Sequence, residues 1–481
     1  MKRGVLTGLV FLLVAGSMRA EQAPSATSSD TLFYWLAAGI SIPRIQRLTA
    51  QHGLACHITP QYTAALKRAG ADPTLIQSLG RKSAAADACS SSSSAAQIAA
   101  LAHDRRFDAV EDKVRALLRD DAANPLLYFV LGTILREQDR PDEALDAFTE
   151  SYQLLPGFPE THGQLSYLFY RLDDSDNARA EARTALSMDP KNAEAYRYLG
   201  LALYADGHYD AALHAFEESL LREPDNADVY FDIGITLRDQ GDLRRSAIAY
   251  HHTLSLRPDF WQAHSNLGVV LHDQGKLDEA AAEYRAAKRL RPEEASIRNN
   301  LGNTLCDKED FNGAIAEFQE LHRQNPEWDG GHNCMARAYM SKRDYPSAIR
   351  ELQAAIRINP AGAAEHRVLG QALLLSGRDE EAVDVLRKAV TLNPDSALAH
   401  HYLGTALVNT QQLAEAETEF RQALRLEASA ENHYSLAACL VALNRYDEAL
   451  GELEIASRMD PSQDLYRARM QEVVRLIAAP K

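Results

Sequence analysis

The sequence predicts an all-α protein, a right-handed α-solenoid of stacked helical hairpins preceded by a small helical N-terminal module. Three observations predict this fold class. Prolines recur on a 34-residue grid, apolar residues between them follow the helical period, and strand-favouring runs are scarce in a chain rich in Ala, Leu, Glu and Arg. Because a single hydrophobic core stops growing well below 481 residues, a repeat array is favoured over one compact domain.

The proline grid defines the repeat unit, and the first full unit runs from Pro125 to Phe158. Proline cannot continue a hydrogen-bonded helical turn, so each proline is expected to close the second helix of its hairpin. A ninth proline, Pro461, returns to the grid after a one-residue slip near Ala428. The eight prolines in a single phase are Pro156, Pro190, Pro224, Pro258, Pro292, Pro326, Pro360 and Pro394.

Small residues recur at the eighth and twentieth places of the unit, as at Gly200 and Ala212, and a large apolar residue such as Phe216 follows four places later. Small side chains let the two helices of a hairpin approach closely. One hairpin cannot bury its own apolar face, so consecutive hairpins must stack.

These columns resemble the tetratricopeptide repeat. In one unit Tyr196-x2-Leu199-Gly200 is followed by Ala212, Phe216 and Pro224, which is the pattern of that family. About ten units fill residues 125–463, after a degenerate unit over 96–124 and before a capping helix over 464–481. The resemblance implies an architecture rather than a reaction, because members of the family share a fold and not a chemistry.

The first 20 residues are typical of a signal peptide. Lys2 and Arg3 precede an apolar stretch over residues 5–16, and small residues allow cleavage after Ser17 or after Ala20. A serine stands where a lipoprotein would carry its lipidated cysteine. We therefore expect a periplasmic or secreted protein with no lipid anchor and no membrane span after signal removal. An uncleaved membrane tether is the alternative.

Residues 31–80 predict a separate small module, with helices that begin at Ser41, Thr59 and Asp72, each with a proline one or two positions later. The segment 81–95 is rich in serine and alanine and is expected to form a flexible linker.

The five cysteines show no metal-ligand spacing. Cys56 and Cys89 are a candidate disulfide, because an exported chain can oxidise and the linker could bring them together. Cys306, Cys334 and Cys439 fall within predicted helices, where cysteine is usually a small core residue.

No catalytic motif is present: the sequence lacks GxSxG, HExxH and a phosphate-binding GxxxxGKS, so we expect no enzyme activity and no cofactor. The net charge of −16 argues against binding to nucleic acid, which requires a basic footprint, and against binding to anionic membrane surfaces.

Histidines recur at the fourth place of the unit. Equivalent places on stacked helices lie roughly 8–10 Å apart, too far for one metal ion with bonds of about 2 Å, so no metal is expected. The prediction is instead a packed, neutral imidazole with a lowered pKa. The column consists of His162, His264, His332, His366, His400 and His433.

The family resemblance implies a concave groove lined by the first helix of each unit at its second, fifth, ninth and twelfth places. In the N-terminal half these places are apolar and aromatic, and the residues are Phe129, Tyr167, Tyr170, Leu201, Tyr204, Phe231 and Ile235. In the C-terminal half they are polar, and the residues are Asn299, Asn303, Asn333, Arg337, Arg367, Gln371 and His401. The alternative is that these side chains are packing residues and solvated polar groups.

The sequence therefore predicts a protein–protein interaction scaffold in the bacterial cell envelope that binds extended peptides or partner domains in its concave groove. The alternative is an accessory or regulatory subunit of an envelope enzyme or of export or polysaccharide machinery, which would recruit its partner through residues 31–80.

Overall fold

The computed structural model describes residues 27–80, 87–89, 93–328 and 330–478. The predicted signal peptide over residues 1–20 lies outside this range. Across the described residues the chain forms 27 α-helices, which confirms the all-α fold class, and none of these helices is long and apolar enough to cross a membrane. The chain divides into two compact units, Met1–Asp242 (unit 1) and Leu243–Lys481 (unit 2).

The N-terminal module begins with α1, a helix that was not predicted from the sequence. The three predicted helix starts are confirmed: the side chain of Thr59 caps its helix at Tyr62 N–H, and Asp72 caps the next helix at Leu75 N–H. The candidate disulfide Cys56–Cys89 is formed. The four helices of the module are α1 (Ser29–Ala37), α2 (Ile42–His52), α3 (Pro60–Arg68) and α4 (Pro73–Gly80).

The remaining helices of unit 1 alternate as first and second helices of hairpins, and α5 begins inside the segment assigned to the linker. They are α5 (Ser93–His103), α6 (Phe107–Asp120), α7 (Pro125–Glu137), α8 (Pro141–Leu154), α9 (Pro159–Arg171), α10 (Ser175–Met188), α11 (Ala193–Ala205), α12 (Tyr209–Leu220) and α13 (Ala227–Asp239). Helices α7 and α8, α9 and α10, and α11 and α12 pack as hairpins.

Unit 2 continues the alternation and ends on a single helix that packs against α26. Its helices are α14 (Leu243–Leu256), α15 (Trp261–Asp273), α16 (Leu277–Leu290), α17 (Ala295–Asp307), α18 (Phe311–Gln324), α19 (His332–Ser341), α20 (Tyr345–Ile358), α21 (Ala363–Leu375), α22 (Asp379–Leu392), α23 (Ala397–Asn409), α24 (Leu413–Leu426), α25 (Ala430–Ala442), α26 (Tyr446–Met459) and α27 (Asp464–Ala478).

The small residue at the eighth place packs on the large residue that follows the twentieth place, as the sequence predicts. A Cβ atom added to Gly200 would lie 2.5 Å from the ring of Phe216, closer than side chains approach in real structures. The same contact joins Gly404 to Phe420. Glycine therefore lets the first helix lie directly against the aromatic ring of the second helix.

The first helices of consecutive hairpins contact one another, as α9 does α11 in unit 1 and α21 does α23 in unit 2. Among the described residues, the backbones of consecutive second helices do not approach one another as closely. Each stack therefore has its first helices on the inside. In unit 1 and in unit 2, we call the surface formed by the second, fifth, ninth and twelfth places of the first helices the inner face.

Candidate functional site on the inner face

Six of the predicted site residues line the inner face of unit 2 on three consecutive first helices. All six are exposed or half-buried. Each helix carries two of them four residues apart, so each pair shares one helical face. We call this set the polar ladder: Asn299 and Asn303 on α17, Asn333 and Arg337 on α19, and Arg367 and Gln371 on α21.

Hydrogen bonds join the steps of the polar ladder. The guanidinium of Arg337 donates to the carbonyl of Cys306 at 2.5 Å and lies 3.3 Å from the carboxylate of Asp307. Asn333 Nδ2 donates to Glu365 Oε1 at 2.8 Å. These contacts tie α19 to α17 on one side and to α21 on the other.

Arg367 and Gln371 differ from the other members of the polar ladder. Within the described part of the chain no hydrogen bond or ion pair is formed by either side chain. Both are half-buried. Their donors therefore remain available to a ligand at this end of the ladder.

A disulfide between Cys306 and Cys334 crosses the polar ladder, and the expectation that both cysteines are unpaired core residues is wrong. Cys306 occupies the twelfth place of α17 and Cys334 the sixth place of α19, so the two thiols face each other between neighbouring first helices. Helix α19 starts only at His332, after Gly331 with a φ of 86°, where a Cβ atom would lie 2.2 Å from the ring of Phe318.

His401 does not join the open surface of the polar ladder. It is buried, and its Nδ1 lies 2.8 Å from Oδ1 of Asn432 on the next first helix. The carboxylate of Glu431 lies 3.8 Å from Nε2 of His401. The fifth place can therefore serve as a link between hairpins rather than as a ligand contact.

The predicted tyrosines form a separate cluster in unit 1. Tyr167 and Tyr170 have ring centres 6.3 Å apart, and the guanidinium of Arg136 lies 5.4 Å from the centre of the Tyr167 ring. Tyr204 donates to Asp239 at 2.5 Å, and partial burial together with this carboxylate raises the pKa of Tyr204. All three predicted tyrosines are half-buried, so their rings are partly open.

Phe129 and Leu201 are core residues, so the expectation that they line an open groove is wrong. Phe129 is 1% exposed and packs edge-on against Phe148 and Phe158. Leu201 is 6% exposed. Apolar side chains at these places are buried by hairpin packing, and at Phe129 also by helix α1, which packs against α7.

An ion-pair cluster that the sequence does not predict joins the N-terminal module to the repeats of unit 1. Arg44 Nε lies 2.5 Å from Glu160 Oε1, and a second nitrogen of Arg44 contacts Asp189. Ser41, predicted as a helix cap, instead donates its hydroxyl to Glu223 at 2.8 Å. The available signal was acidic residues at the thirty-first place of two successive units, where the next five units carry Asn or Arg.

The histidine column is paired with carboxylates. His264 Nδ1 lies 2.6 Å from Glu283 Oε2, and this hydrogen bond raises the pKa of His264. The expectation of a lowered pKa is therefore wrong for His264, because a carboxylate stabilises the imidazolium. His366 instead contacts the carbonyl of Gly362 at 2.8 Å. The described residues contain no cluster of three or more potential metal ligands.

Known proteins share this repeat. The tetratricopeptide-repeat family profile matches residues 98–159, 164–228, 200–250, 231–295, 335–397 and 403–464. The small glutamine-rich tetratricopeptide repeat-containing protein 2 of Mycosarcoma maydis is 31% identical over 75 residues, which is 16% of this chain and 21% of that protein. The chain thus spans about a fifth of the length of this relative.

Two solved structures are similar to parts of this chain. PilF of Pseudomonas aeruginosa has 19% identity and a TM-score of 0.38, with 43% of this chain and 94% of that chain covered. MamA of Desulfovibrio magneticus RS-1 has 21% identity and a TM-score of 0.34, with 35% and 94% covered. The profile matches about two thirds of the 481 residues, on the same hairpins in which Gly200 packs on Phe216. The chain belongs to the tetratricopeptide-repeat family.

Proposed function

We propose that this scaffold binds an extended segment of a partner protein along the polar ladder of unit 2. The proposal rests on the solvent exposure of side chains in the polar ladder. The side chains of Asn303, Asn333 and Arg337 are exposed, whereas Phe129 and Thr133, at the fifth and ninth places of α7, are buried. Open polar side chains on three consecutive first helices form a continuous recognition surface.

The chemistry of the polar ladder suits a polypeptide ligand. Asparagine and glutamine offer both donors and acceptors, which match the amide and carbonyl groups of an extended backbone. Arg367 adds a guanidinium that can bind a carboxylate with two parallel hydrogen bonds. The partner segment is therefore expected to carry an acidic side chain, or its own terminal carboxylate, opposite Arg367.

The proposed site of action is outside the cytoplasm. The predicted signal peptide supports this location, and so do two disulfides among the described residues, because disulfides persist in oxidising compartments. The partner would then be a periplasmic, membrane-attached or secreted protein. Recruitment through residues 31–80 gains no comparable support, since Arg44 and Ser41 of this module contact carboxylates of the same chain.

The experiment selects peptides from a random library on the full-length protein and measures their binding by calorimetry. Peptides with acidic residues are expected. In the double variant Arg337→Ala/Arg367→Ala, affinity should fall roughly 10- to 100-fold, the scale of lost charge-assisted hydrogen bonds. Thermal unfolding should change little, because Arg337 is exposed and Arg367 half-buried, away from the packed eighth and twentieth places.

The matched control is Arg350→Ala/Arg357→Ala. Both arginines are exposed on the second helix α20, so the same two charges are removed away from the inner face. The control should bind the peptides as tightly as the unmodified protein. Equal affinity of the polar-ladder variant and the unmodified protein would overturn the proposal, as would a loss confined to the control.

A further inference from the structure

The N-terminal module covers part of the inner face of unit 1. Helix α1 packs against α5 and α7, which are both first helices. Leu32, Phe33 and Trp35 of α1 share one buried core with Phe129 of α7. The module therefore lies on the side of the repeats where a tetratricopeptide array has its inner face.

Burial at equivalent places shows how far this cover extends. Glu160, at the second place of α9, is 2% exposed, and Thr133, at the ninth place of α7, is 4% exposed. The corresponding residues of α17 in unit 2 are Ser296 and Asn303, and both are exposed. These two inner-face places are thus exposed on α17 of unit 2 and buried on α9 and α7 of unit 1.

Helix α2 contributes two arginines to this contact. The Arg44 side chain is 6% exposed and is paired with Glu160 and Asp189, while the Arg47 guanidinium lies 3.5 Å from Glu223. The two arginines are three residues apart, one helical turn, so both point to the same side of α2.

The acidic partners follow the repeat. Asp189 and Glu223 occupy the same thirty-first place of successive units, so their spacing is set by the stacking of the hairpins. Glu160 supplies a third carboxylate, and its Oε2 is buried without a hydrogen-bond partner among the described residues. Burying a carboxylate is costly unless a cation accompanies it, so this site requires a cationic occupant.

We propose that Glu160, Asp189 and Glu223 form a binding site for two arginine side chains one helical turn apart, and that α2 occupies it as a ligand from the same chain. A partner helix that presents two arginines at this spacing would compete with α2. This goes beyond the proposed function, because the site lies in unit 1, takes a basic partner and is closed by the chain itself.

Occupation of the site by α2 should lower the apparent affinity of the site for a competing ligand. A ligand that binds only the open form has its apparent affinity reduced by the fraction of molecules that are open. Removing the guanidinium groups of Arg44 and Arg47 weakens the hold of α2 and raises the open fraction. The same basic ligand should then bind more tightly, although the substituted residues lie outside its own binding site.

The test uses the full-length protein and a fluorescein-labelled synthetic peptide of residues 40–54, which contains Ser41, Arg44 and Arg47. Fluorescence anisotropy should show weak binding to the unmodified protein and at least about tenfold tighter binding to Arg44→Ala/Arg47→Ala. Hydrogen exchange in the amides of α2 should rise when the peptide binds. A peptide with both arginines replaced by alanine should not bind.

Two control proteins make the outcome specific. Lys67→Ala/Arg68→Ala removes two exposed cations from the same module and should bind as weakly as the unmodified protein. Glu160→Gln/Glu223→Gln, added to the opened variant, should abolish the gain. If circular dichroism shows that the opened variant is unfolded, Arg47→Ala alone is used, and a smaller gain is expected.

Three results would overturn the proposal. They are no gain in the opened variant, equal binding of the peptide without arginines, and a gain that persists without Glu160 and Glu223. In each case the contacts of Arg44 and Arg47 would only fasten the module in place.

Discussion

Nδ1 of His264 lies 2.6 Å from Oε2 of Glu283, which ties the first helix of a hairpin, α15, to the second, α16. The two residues are 19 positions apart, and the same spacing and the same atoms recur in four other hairpins. These pairs are His162–Glu181, His332–Glu351, His400–Glu419 and His433–Glu452.

We predict that stability of unit 2 falls as pH rises above about 6.5. The hydrogen bonds to Glu283 and to the Pro258 carbonyl raise the pKa of His264, against partial burial and the nearby charge of Arg289. A raised pKa means that the His264 imidazole keeps its proton to a higher pH in the folded state than in the unfolded state. The stabilisation is therefore complete below the unfolded pKa of 6.5 and is lost as pH rises through the folded pKa.

The measurement compares thermal unfolding at pH 6 and pH 8. The decrease in midpoint should be smaller in His264→Gln than in the unmodified protein. His366→Gln is the control, because Val385 stands where the other histidines of the column have glutamate, so this substitution removes no histidine–glutamate pair. Parallel pH profiles for all three proteins would contradict the role of the His264–Glu283 pair.

We predict opposite effects from two glycine-to-alanine substitutions in helices. In Gly200→Ala the new methyl group would meet the Phe216 ring at 2.5 Å, and overpacking should cost about 1–3 kcal/mol of unfolding free energy. Gly451 has no heavy atom within 4 Å of its Cβ position, so Gly451→Ala should stabilise by about 0.5–1 kcal/mol. Chemical denaturation measures both, and equal effects would contradict the packing described at the eighth place.

The cysteines give a prediction by thiol counting. Cys439 is the one free cysteine, and burial raises its pKa to about 11, so its thiol should resist alkylation at pH 8. Thiol titration should detect no reactive group in the folded, non-reduced protein and one group after denaturation. Detecting three thiols in the denatured, non-reduced protein would show that one of the two disulfides is not formed.

The repeat architecture could be predicted from the sequence because its contacts recur at a fixed spacing. Gly200 packs on Phe216 within one hairpin, and the same pair of places is filled in the same way in other units. Such contacts leave a periodic pattern along the chain. The helix starts at Thr59 and Asp72 were predictable for a similar reason, since a cap acts within one helical turn.

Contacts that occur only once could not be predicted in this way. Arg44 and Glu160 are separated by 116 positions, and no periodicity relates them. The burial of Phe129 depends partly on the same docking of the N-terminal module. The histidine–glutamate pairs could have been predicted, because the spacing of 19 residues recurs. A histidine in the sequence, however, does not by itself indicate whether its imidazole is packed, bound to a metal or paired with a carboxylate.

All six residues of the polar ladder lie on first helices, but the sequence could not predict which of their side chains are available to a ligand. Asn333 donates to Glu365 and Arg337 contacts Asp307, and both partners lie on neighbouring first helices. His401 is withdrawn from the surface by Asn432. Which polar side chain points to a neighbour and which to solvent depends on the stacking of hairpins, including the late start of α19.

Locating a bound peptide with a photo-crosslinker shows whether the polar ladder is the binding surface. Benzoyl-phenylalanine is introduced at Gln371 on the inner face of unit 2 or at Arg357 on α20, and each protein is irradiated with a peptide selected on the unmodified protein. We expect cross-linking from position 371 and none from position 357. Cross-linking from position 357 with none from position 371 would contradict this expectation.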